Sequence, residues 1–293
     1  MINKIKYFFI GPPLPNEEMS GRQLNKIRAL AAFSPDALSS LAYANQEIYL
    51  GLVVAGAAGL ALSLPIAGAI TLLLSIVALS YAQTIRAYPS GGGSYVVARE
   101  NLGLRAGMVA AAALLVDYIL TAAVSLTAGV AEIISAFPQL APYRVALALG
   151  ILVLVTLLNL RGLQESGTAM SLPVYLFLFA FFAMLLAGAV KLLSGAPVSA
   201  AAAAIPLATQ PLTLVLVLHA FSAGCTALTG IEAISNGVPV FKAPQVRNAQ
   251  KTLAAMALLM GLLFLGSIAL TQVLHVSAGP NETILSALGR AVL

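Results

Sequence analysis

Seven long apolar stretches constrain the fold of this chain more than any other feature of its sequence. Each is close to the roughly 20 residues that an α-helix needs to cross the hydrocarbon core of a bilayer. They lie at about residues 30–54, 60–83, 104–134, 145–160, 172–193, 212–238 and 253–274. Lipid offers no partner to backbone N–H and C=O groups, so these stretches predict helices and an all-α, multi-pass membrane protein.

Composition agrees with this prediction. Hydrophobic residues make up 60% of the chain and charged residues only 9%, whereas soluble domains carry roughly 25% charged residues. The single cysteine, Cys225, rules out a disulfide within the chain. The first 25 residues are too polar for a cleaved secretory signal.

The basic residues are distributed unevenly between the two sides of the predicted bundle. If the N-terminus is cytoplasmic, 12 of the 15 Lys and Arg residues fall inside, which leaves 3 outside, namely Arg144, Lys191 and Arg290. Short cytoplasmic loops of membrane proteins carry such an excess. The net charge of +5 is therefore explained by topology, and we expect a lipid bilayer, not nucleic acid, as the partner.

The chain divides into a cytoplasmic tail, residues 1–29, and a transmembrane domain, residues 30–293. No linker or second soluble domain is expected between them. The Gly-rich run at residues 89–95 (PSGGGSY) lacks a phosphate-binding spacing. We interpret it as a tight cytoplasmic turn between spans two and three.

Spans one and six share a short pattern. Residues 32–39 read AFSPDALS and residues 220–229 read AFSAGCTALT. Pro35 and Gly224 both weaken a helix, and interrupted helices at matching positions of two halves indicate a transporter site. The positions predict a five-plus-five inverted repeat with breaks in spans one and six, a first repeat at about 30–194 and the start of a second at about 212–293.

Five acidic residues fall within or at the ends of the spans. Glu47 and Glu132 lie toward helix ends, and Asp36, Asp117 and Glu232 lie deeper. A charged group near the centre of a membrane helix costs roughly 2.5–3.5 kcal/mol on insertion scales, so the deeper acids are functional candidates.

Span three carries a polar stripe. Asp117, Thr121 and Ser125 recur every four residues and so share one face of a helix. The two hydroxyls could instead bond to the preceding turn, and Tyr43 could be an ordinary core aromatic. Together with Asp36 and Tyr43, the stripe favours a cavity lined by oxygen atoms, which suits a hard cation or a proton relay.

These segments resemble those of the amino acid–polyamine–organocation (APC) superfamily, and within it the KimA-type, KUP-like potassium–proton symporters. The matching residues are 34–43 (SPDALSSLAY), 89–95 (PSGGGSY), 116–121 (VDYILT) with Ser125, and 227–239 (ALTGIEAISNGVP). The resemblance implies proton-coupled uptake of potassium or a similar small cation. It implies a binding site formed by Asp36, Tyr43, Asp117, Thr121, Ser125 and Thr229.

The resemblance assigns proton coupling to Glu232. This residue follows Thr229 by three positions, and we expect both on nearly the same helical face, with Glu232 one turn nearer the cytoplasm. A carboxyl group shielded from bulk water is suited to carry a proton. We expect no cofactor, no transition metal and no catalytic residue; potassium and protons are the transported ions. A homodimer is compatible with the resemblance.

The family fold needs ten or more core helices, and seven are predicted here. We therefore expect an N-terminal fragment of a longer protein that does not transport alone. The main alternative is a proton-coupled amino acid or polyamine permease of the same superfamily. A carboxylate at the predicted break would repel an amino acid carboxylate, although cationic solutes remain compatible. The sequence has no suitably placed His pair or nucleophile, which argues against an intramembrane enzyme. A scaffold that does not transport would not need buried acids.

Overall fold

The computed structural model describes residues 23–160, 163–195, 207–279 and 281–293, with side chains described outside 163–170. Its helices are α1 Lys26–Val53, α2 Gly56–Leu60, α3 Ser63–Ala87, α4 Gly93–Leu102, α5 Leu104–Ala136, α6 Arg144–Asn159, α7 Leu163–Ser194, α8 Leu214–Gly224, α9 Glu232–Asn236, α10 Gln245–Val273 and α11 Ile284–Val292. Three 3₁₀ turns lie at Pro138–Tyr143, Cys225–Leu228 and Val238–Val240.

Each of the seven predicted stretches contains a helix, which confirms the all-α membrane fold. Spans one to five correspond to α1, α3, α5, α6 and α7, span six to α8 with α9, and span seven to α10. Among the described residues, six helical segments are long and apolar enough to cross a membrane: Gly56–Ala87, Leu104–Ala136, Pro138–Asn159, Ser171–Ser194, Leu214–Asn236 and Gln245–Val273. Helix α1 has the length but is not among them, because polar residues interrupt its middle.

Helix α1 lies in the centre of the described bundle. It packs against α7, α8 and α10, and most of its apolar side chains are buried. Asn25 caps its first turn by accepting a hydrogen bond from the N–H of Arg28 at 2.9 Å. By contrast, α6 buries none of its residues, and its exposed leucines and valines are those of a peripheral, lipid-facing helix.

The predicted break in span one is wrong. Helix α1 continues from Lys26 to Val53 with Pro35 inside it. An interior proline removes one hydrogen bond and crowds the carbonyl four residues earlier, but α1 packs against three other helices, and this packing holds the helical path on both sides. The helix also begins at Lys26, so it includes the last residues of the predicted 1–29 tail. Residues 1–22 of that tail lie outside the described residues.

The predicted break in span six is confirmed. Helix α8 ends at Gly224, the chain continues as a 3₁₀ turn to Leu228, and α9 begins only at Glu232. Thr229 is extended, with φ −69° and ψ 152°, and Gly230 has φ +84°. A residue with a side chain rarely adopts the Gly230 conformation, so the glycine permits the change of direction.

The end of α1 that is predicted to be cytoplasmic is tied to the chain after α9. The N–H of Leu24 donates to the carbonyl of Val240 at 2.8 Å, and the N–H of Lys242 donates to the carbonyl of Leu24 at 3.0 Å. Phe241 is fully buried and stacks on Phe33 with ring centroids 5.7 Å apart. These contacts hold spans one and six together at this end of the bundle.

Candidate functional site

The interrupted part of span six packs directly against α1. A Cβ atom added to Gly230 would lie 2.5 Å from the backbone nitrogen of Ala37. Such a separation is shorter than real Cβ atoms show, so a side chain at position 230 would push the two segments apart. The absence of a side chain therefore brings the irregular backbone of span six next to the turn of α1 that carries Asp36 and Ser40.

Three hydroxyl groups meet at this contact. The Oγ of Ser40 lies 2.6 Å from the Oγ1 of Thr229 and 2.9 Å from the Oη of Tyr43. Ser40 also donates to the carbonyl of Asp36 at 2.8 Å. A hydroxyl has one proton and two acceptor lone pairs, so Ser40 can donate to Asp36 and accept from Tyr43 and Thr229. The carbonyl of Thr226, at 2.9 Å, competes with Ser40 for the Thr229 proton.

A second pair of hydroxyls joins α1 to α5. The Oγ of Ser39 lies 3.2 Å from the Oγ of Ser125, and Ser39 also reaches the carbonyl of Asp36 at 2.9 Å. We call Ser39, Ser40, Tyr43, Ser125 and Thr229 the hydroxyl cluster. It links α1, α5 and the break of span six, which lie far apart in the sequence.

A cavity of about 350 Å³ lies beside the hydroxyl cluster, between α1, α5 and α7. Its polar lining residues are Ser39, Tyr43, Ser125 and Glu132, and the rest of its wall is apolar, including Pro35. A water molecule takes up about 30 Å³ of liquid, so the space is larger than a single water molecule.

Carboxylates lie close to the hydroxyl cluster. The Oδ1 of Asp36 and the Oε1 of Glu232 are buried and have no hydrogen-bond partner among the described residues. Asp36 experiences electrostatic repulsion from Asp117, and Glu232 experiences it from both aspartates. Within the described ranges, none of the three acids has a basic ion-pair partner. The arrangement concentrates negative charge and oxygen atoms in one place.

Glu232 reaches this region by a different route from the predicted one. Because Thr229 is extended and Gly230 is left-handed, Thr229 and Glu232 are not on one helical face, and that prediction is wrong. Glu232 begins α9 instead. Glu232 is thus an acid in the first turn of a helix, where the helix dipole favours negative charge.

The structure brings together most of the predicted site residues. Tyr43, Ser125 and Thr229 belong to the hydroxyl cluster, and Asp36, Asp117 and Glu232 form the nearby acidic group. Thr121 lies between Asp117 and Ser125 on α5 and is half-buried. In the part of the chain that the structure describes, its side chain makes no hydrogen bond. Whether these residues bind an ion stays a prediction.

Two members of the hydroxyl cluster were not among the predicted residues. Ser39 and Ser40 stand three and four positions after Asp36, a spacing at which a serine hydroxyl reaches the carbonyl of the preceding turn. That spacing was a usable signal, but their partners on α5 and span six could not be deduced from it. The sequence also gave no sign that the Oγ of Ser34 would be fully buried without a partner.

A second, more polar cavity of about 400 Å³ lies toward the end of the bundle opposite to Leu24. Glu47 and Glu132 line it together with Glu282 and Arg144, which agrees with the placement of the first two toward helix ends. Glu132 accepts a hydrogen bond from Thr283 at 2.8 Å. Tyr43 and Glu132 line this cavity and the smaller one, so the two cavities are neighbours.

A bundle of membrane-length helices with one interrupted helix beside buried acids and hydroxyls defines a polytopic membrane protein of the transporter type. A family model described as an amino acid permease matches residues 26–288. The chain therefore belongs to the amino acid permease family of the APC superfamily.

A curated relative agrees with this assignment. The chain is 45% identical, over 289 residues and 98% of its length, to the protein named potassium transporter KimA of Bacillus subtilis (strain 168). The aligned region is 47% of that relative, so the chain spans about half the length of the relative it matches.

Proposed function

We propose that the protein is a secondary active transporter that takes up potassium or a similar small cation together with protons. The observation that carries this proposal is a pair of buried carboxylate oxygens, Asp36 Oδ1 and Glu232 Oε1, that have no hydrogen-bond partner among the described residues. A buried carboxylate without a partner is strongly unfavourable. A cation or a proton at these oxygens removes that penalty, and a transporter supplies both.

The donor set supports a hard cation. Hydroxyl and carboxylate oxygens suit metal ions that prefer oxygen ligands. The hydroxyl cluster places several such oxygens where α1 meets α5 and the break of span six. Asp36, Tyr43, Asp117, Thr121, Ser125 and Thr229 are the proposed cation ligands. The 45% identity to a protein named as a potassium transporter supports potassium in particular. No cofactor takes part in this proposal.

Proton coupling is proposed for Glu232. This residue is 7% exposed. It lies at the start of α9, which follows the break of span six in the chain. It interacts electrostatically with Asp36 and Asp117, so a change in its protonation alters the charge that a cation at those residues experiences. This interaction is the physical basis for coupling the two ions.

The second candidate is a proton-coupled amino acid or polyamine permease, which the family description favours. An amino acid carboxylate would have to bind beside Asp36 and Asp117, where like charges repel. A polyamine or another cationic solute does not have this difficulty. Competition between potassium and these solutes therefore distinguishes the two candidates.

Orientation and assembly complete the proposal. The uneven distribution of Lys and Arg supports a cytoplasmic N-terminus, with the hydrogen bonds of Leu24 to Val240 and Lys242 on the cytoplasmic side. The proposal allows the protein to act as a homodimer, to be tested by its mass in detergent.

The test of substrate class is an uptake panel. The full-length protein is placed in proteoliposomes with an inward proton gradient, and uptake is measured for potassium, rubidium, sodium, spermidine and several amino acids. We expect saturable uptake of potassium and rubidium that amino acids do not inhibit. Saturable uptake of an amino acid or of spermidine, without potassium uptake, would favour the second candidate instead.

A further inference from the structure

Asn236, the last residue of α9, makes more specific contacts than its position at a helix end requires. Its Nδ2 donates a hydrogen bond to the hydroxyl of Tyr118 on α5 at 2.9 Å. Its main-chain carbonyl accepts a hydrogen bond from the N–H of Gly92 at 3.4 Å. One residue therefore joins span six to α5 and to the Gly-rich turn before α4.

The Gly-rich turn is shaped to receive Asn236. A Cβ atom on Gly91 would lie 2.6 Å from the carbonyl oxygen of Asn236, and one on Gly93 would overlap its Oδ1. Both glycines also have positive φ angles, +78° and +45°. The close approach of Asn236 thus explains Gly91 and Gly93, whereas a Cβ atom on Gly92 would meet the side chain of Val96.

Tyr118 connects this contact to the acids. It follows Asp117 directly on α5, and its hydroxyl interacts electrostatically with Glu232, Asp36 and Asp117. The Asn236 amide is a donor in its bond to Tyr118, so the Tyr118 oxygen acts as the acceptor. The hydroxyl proton of Tyr118 is then left free to be donated to another oxygen nearby.

We propose that Asn236 is a positioning residue of the transport site, which holds the α9 half of span six against α5 and acts through Tyr118. The expected effect of Asn236 on transport rests on the proposed function, in which Glu232 on α9 carries the proton and Asp117 on α5 binds the cation. Holding these two elements in register keeps the proton-coupling acid and the cation-binding acid at a constant separation. Without Asn236, α9 is free to shift relative to α5.

The same protein contains a matched control for this hydrogen bond. The Nδ2 of Asn101, at the end of α4, donates to the hydroxyl of Tyr88 at 2.6 Å. This bond joins the same two residue types and also involves the loop between spans two and three. The same Nδ2 also donates to the carbonyl of Val97 at 2.8 Å. Neither partner belongs to span six, so Asn101→Ala removes the same kind of Asn–Tyr bond, together with a local bond inside α4, and no hydrogen bond to α9.

The first experiment uses Asn236→Ala, Tyr118→Phe, the double variant and Asn101→Ala in the full-length protein. Hydrogen–deuterium exchange of the amides at residues 229–240 is measured by mass spectrometry, and potassium uptake is measured per folded molecule. Loss of one hydrogen bond increases local opening by about fivefold. We expect exchange in that segment and the half-saturating potassium concentration each to rise about fivefold in both site variants, with little change in the maximal rate.

The double variant tests whether Asn236 acts through Tyr118. If it does, the double variant matches the more affected single variant, because both substitutions break the same bond. Multiplication of the two single effects would overturn this step. Unchanged exchange in Asn236→Ala, or the same increase in Asn101→Ala, would overturn the proposal itself. Exchange needs no transport, so the proposal is still decided if the protein proves not to move potassium.

A second experiment uses the glycines. Gly93→Ala introduces a methyl group against the Oδ1 of Asn236 at a φ of +45°, whereas Gly103→Ala places one in open space at a φ of +92°. Asn236→Ala removes the Oδ1, so the double variant Gly93→Ala/Asn236→Ala should regain part of the thermal stability that Gly93→Ala loses. Adding Asn236→Ala to Gly103→Ala should regain none of the loss. Equal behaviour of the two glycine variants would contradict the specific contact.

Discussion

Ser40 Oγ and Thr229 Oγ1 lie 2.6 Å apart and connect the middle of α1 to the extended residue in the break of span six. The two residues are 189 positions apart in the chain. Their contact depends on the missing side chain of Gly230, which allows the backbone of span six to approach Ala37. The geometry of the proposed cation site is thus set where two distant segments touch.

Ser40→Ala should weaken potassium binding, because Ser40 bridges Thr229 and Tyr43 and fixes the direction of their hydroxyl oxygens. Hydrogen bonds of this kind contribute about 1 kcal/mol each, so the potassium dissociation constant should rise by about fivefold or more. The measurement is a binding titration of the purified full-length protein. Ser75→Ala is the matched control, since the Ser75 hydroxyl makes only a bond to the carbonyl four residues earlier. Equal affinities in the two variants would show that the cross-helix bonds do not shape the site.

Gly230→Ala should destabilise the protein more than Gly150→Ala, a glycine substitution inside α6. A left-handed conformation costs an L-residue about 1–2 kcal/mol, and the new methyl group would also clash with the α1 backbone at Ala37. Thermal unfolding of the purified variant measures the loss. Gly150→Ala is the control, because nothing lies within 4 Å of a Cβ added there. A stability equal to that of the Gly150 variant would mean that span six adjusts without strain.

The helices of this protein could be predicted from sequence because each depends on a local property, a run of apolar residues long enough to cross a bilayer. The break in span six was also predicted, since Gly224 and the small residues after it weaken a helix locally. The break expected at Pro35 did not occur. Packing of α1 against neighbouring helices determines the outcome at that position, and a sequence pattern contains no information about such packing.

The candidate site residues could be recognised in the sequence for a similar reason. Acids inside an apolar stretch are conspicuous in the sequence, and so is a hydroxyl every four residues on α5. Ser39, Ser40 and Asn236 stand out in no such way, because polar residues of these types also occur as ordinary helix and turn residues. Their importance comes from partners more than 80 positions away, which only the fold reveals.

Glu232→Gln should separate proton coupling from cation binding. Glutamine resembles the protonated carboxyl group in shape and charge but cannot release a proton. We expect proton-driven accumulation of potassium to fall close to the passive level while the potassium dissociation constant changes by less than about threefold. Uptake with and without a proton gradient, in liposomes of equal protein content, makes the comparison. Accumulation that still follows the gradient would place the coupling residue elsewhere.

The predicted orientation can be tested by labelling. In a Cys225→Ala background, single cysteines at Tyr95 and Val246 should not react with a membrane-impermeant maleimide added to intact cells, because both loops are predicted to be cytoplasmic. A cysteine at Arg144, on the predicted outer side, should react. Labelling at position 95 or 246 without permeabilisation would reverse the assignment.

The most direct test of the central claim is the potassium affinity of Asp36→Asn and Asp117→Asn in the full-length protein. Each substitution removes one negative charge but preserves the size of the side chain. A unit charge about 4 Å from a cation contributes up to about 4 kcal/mol at an effective dielectric constant of 20, so each variant should bind potassium at least about tenfold more weakly. Glu100→Gln, an exposed acid on α4, should bind as the unsubstituted protein does. Unchanged potassium affinity in both aspartate variants, measured on folded protein, would contradict the assignment of this cluster as the cation site.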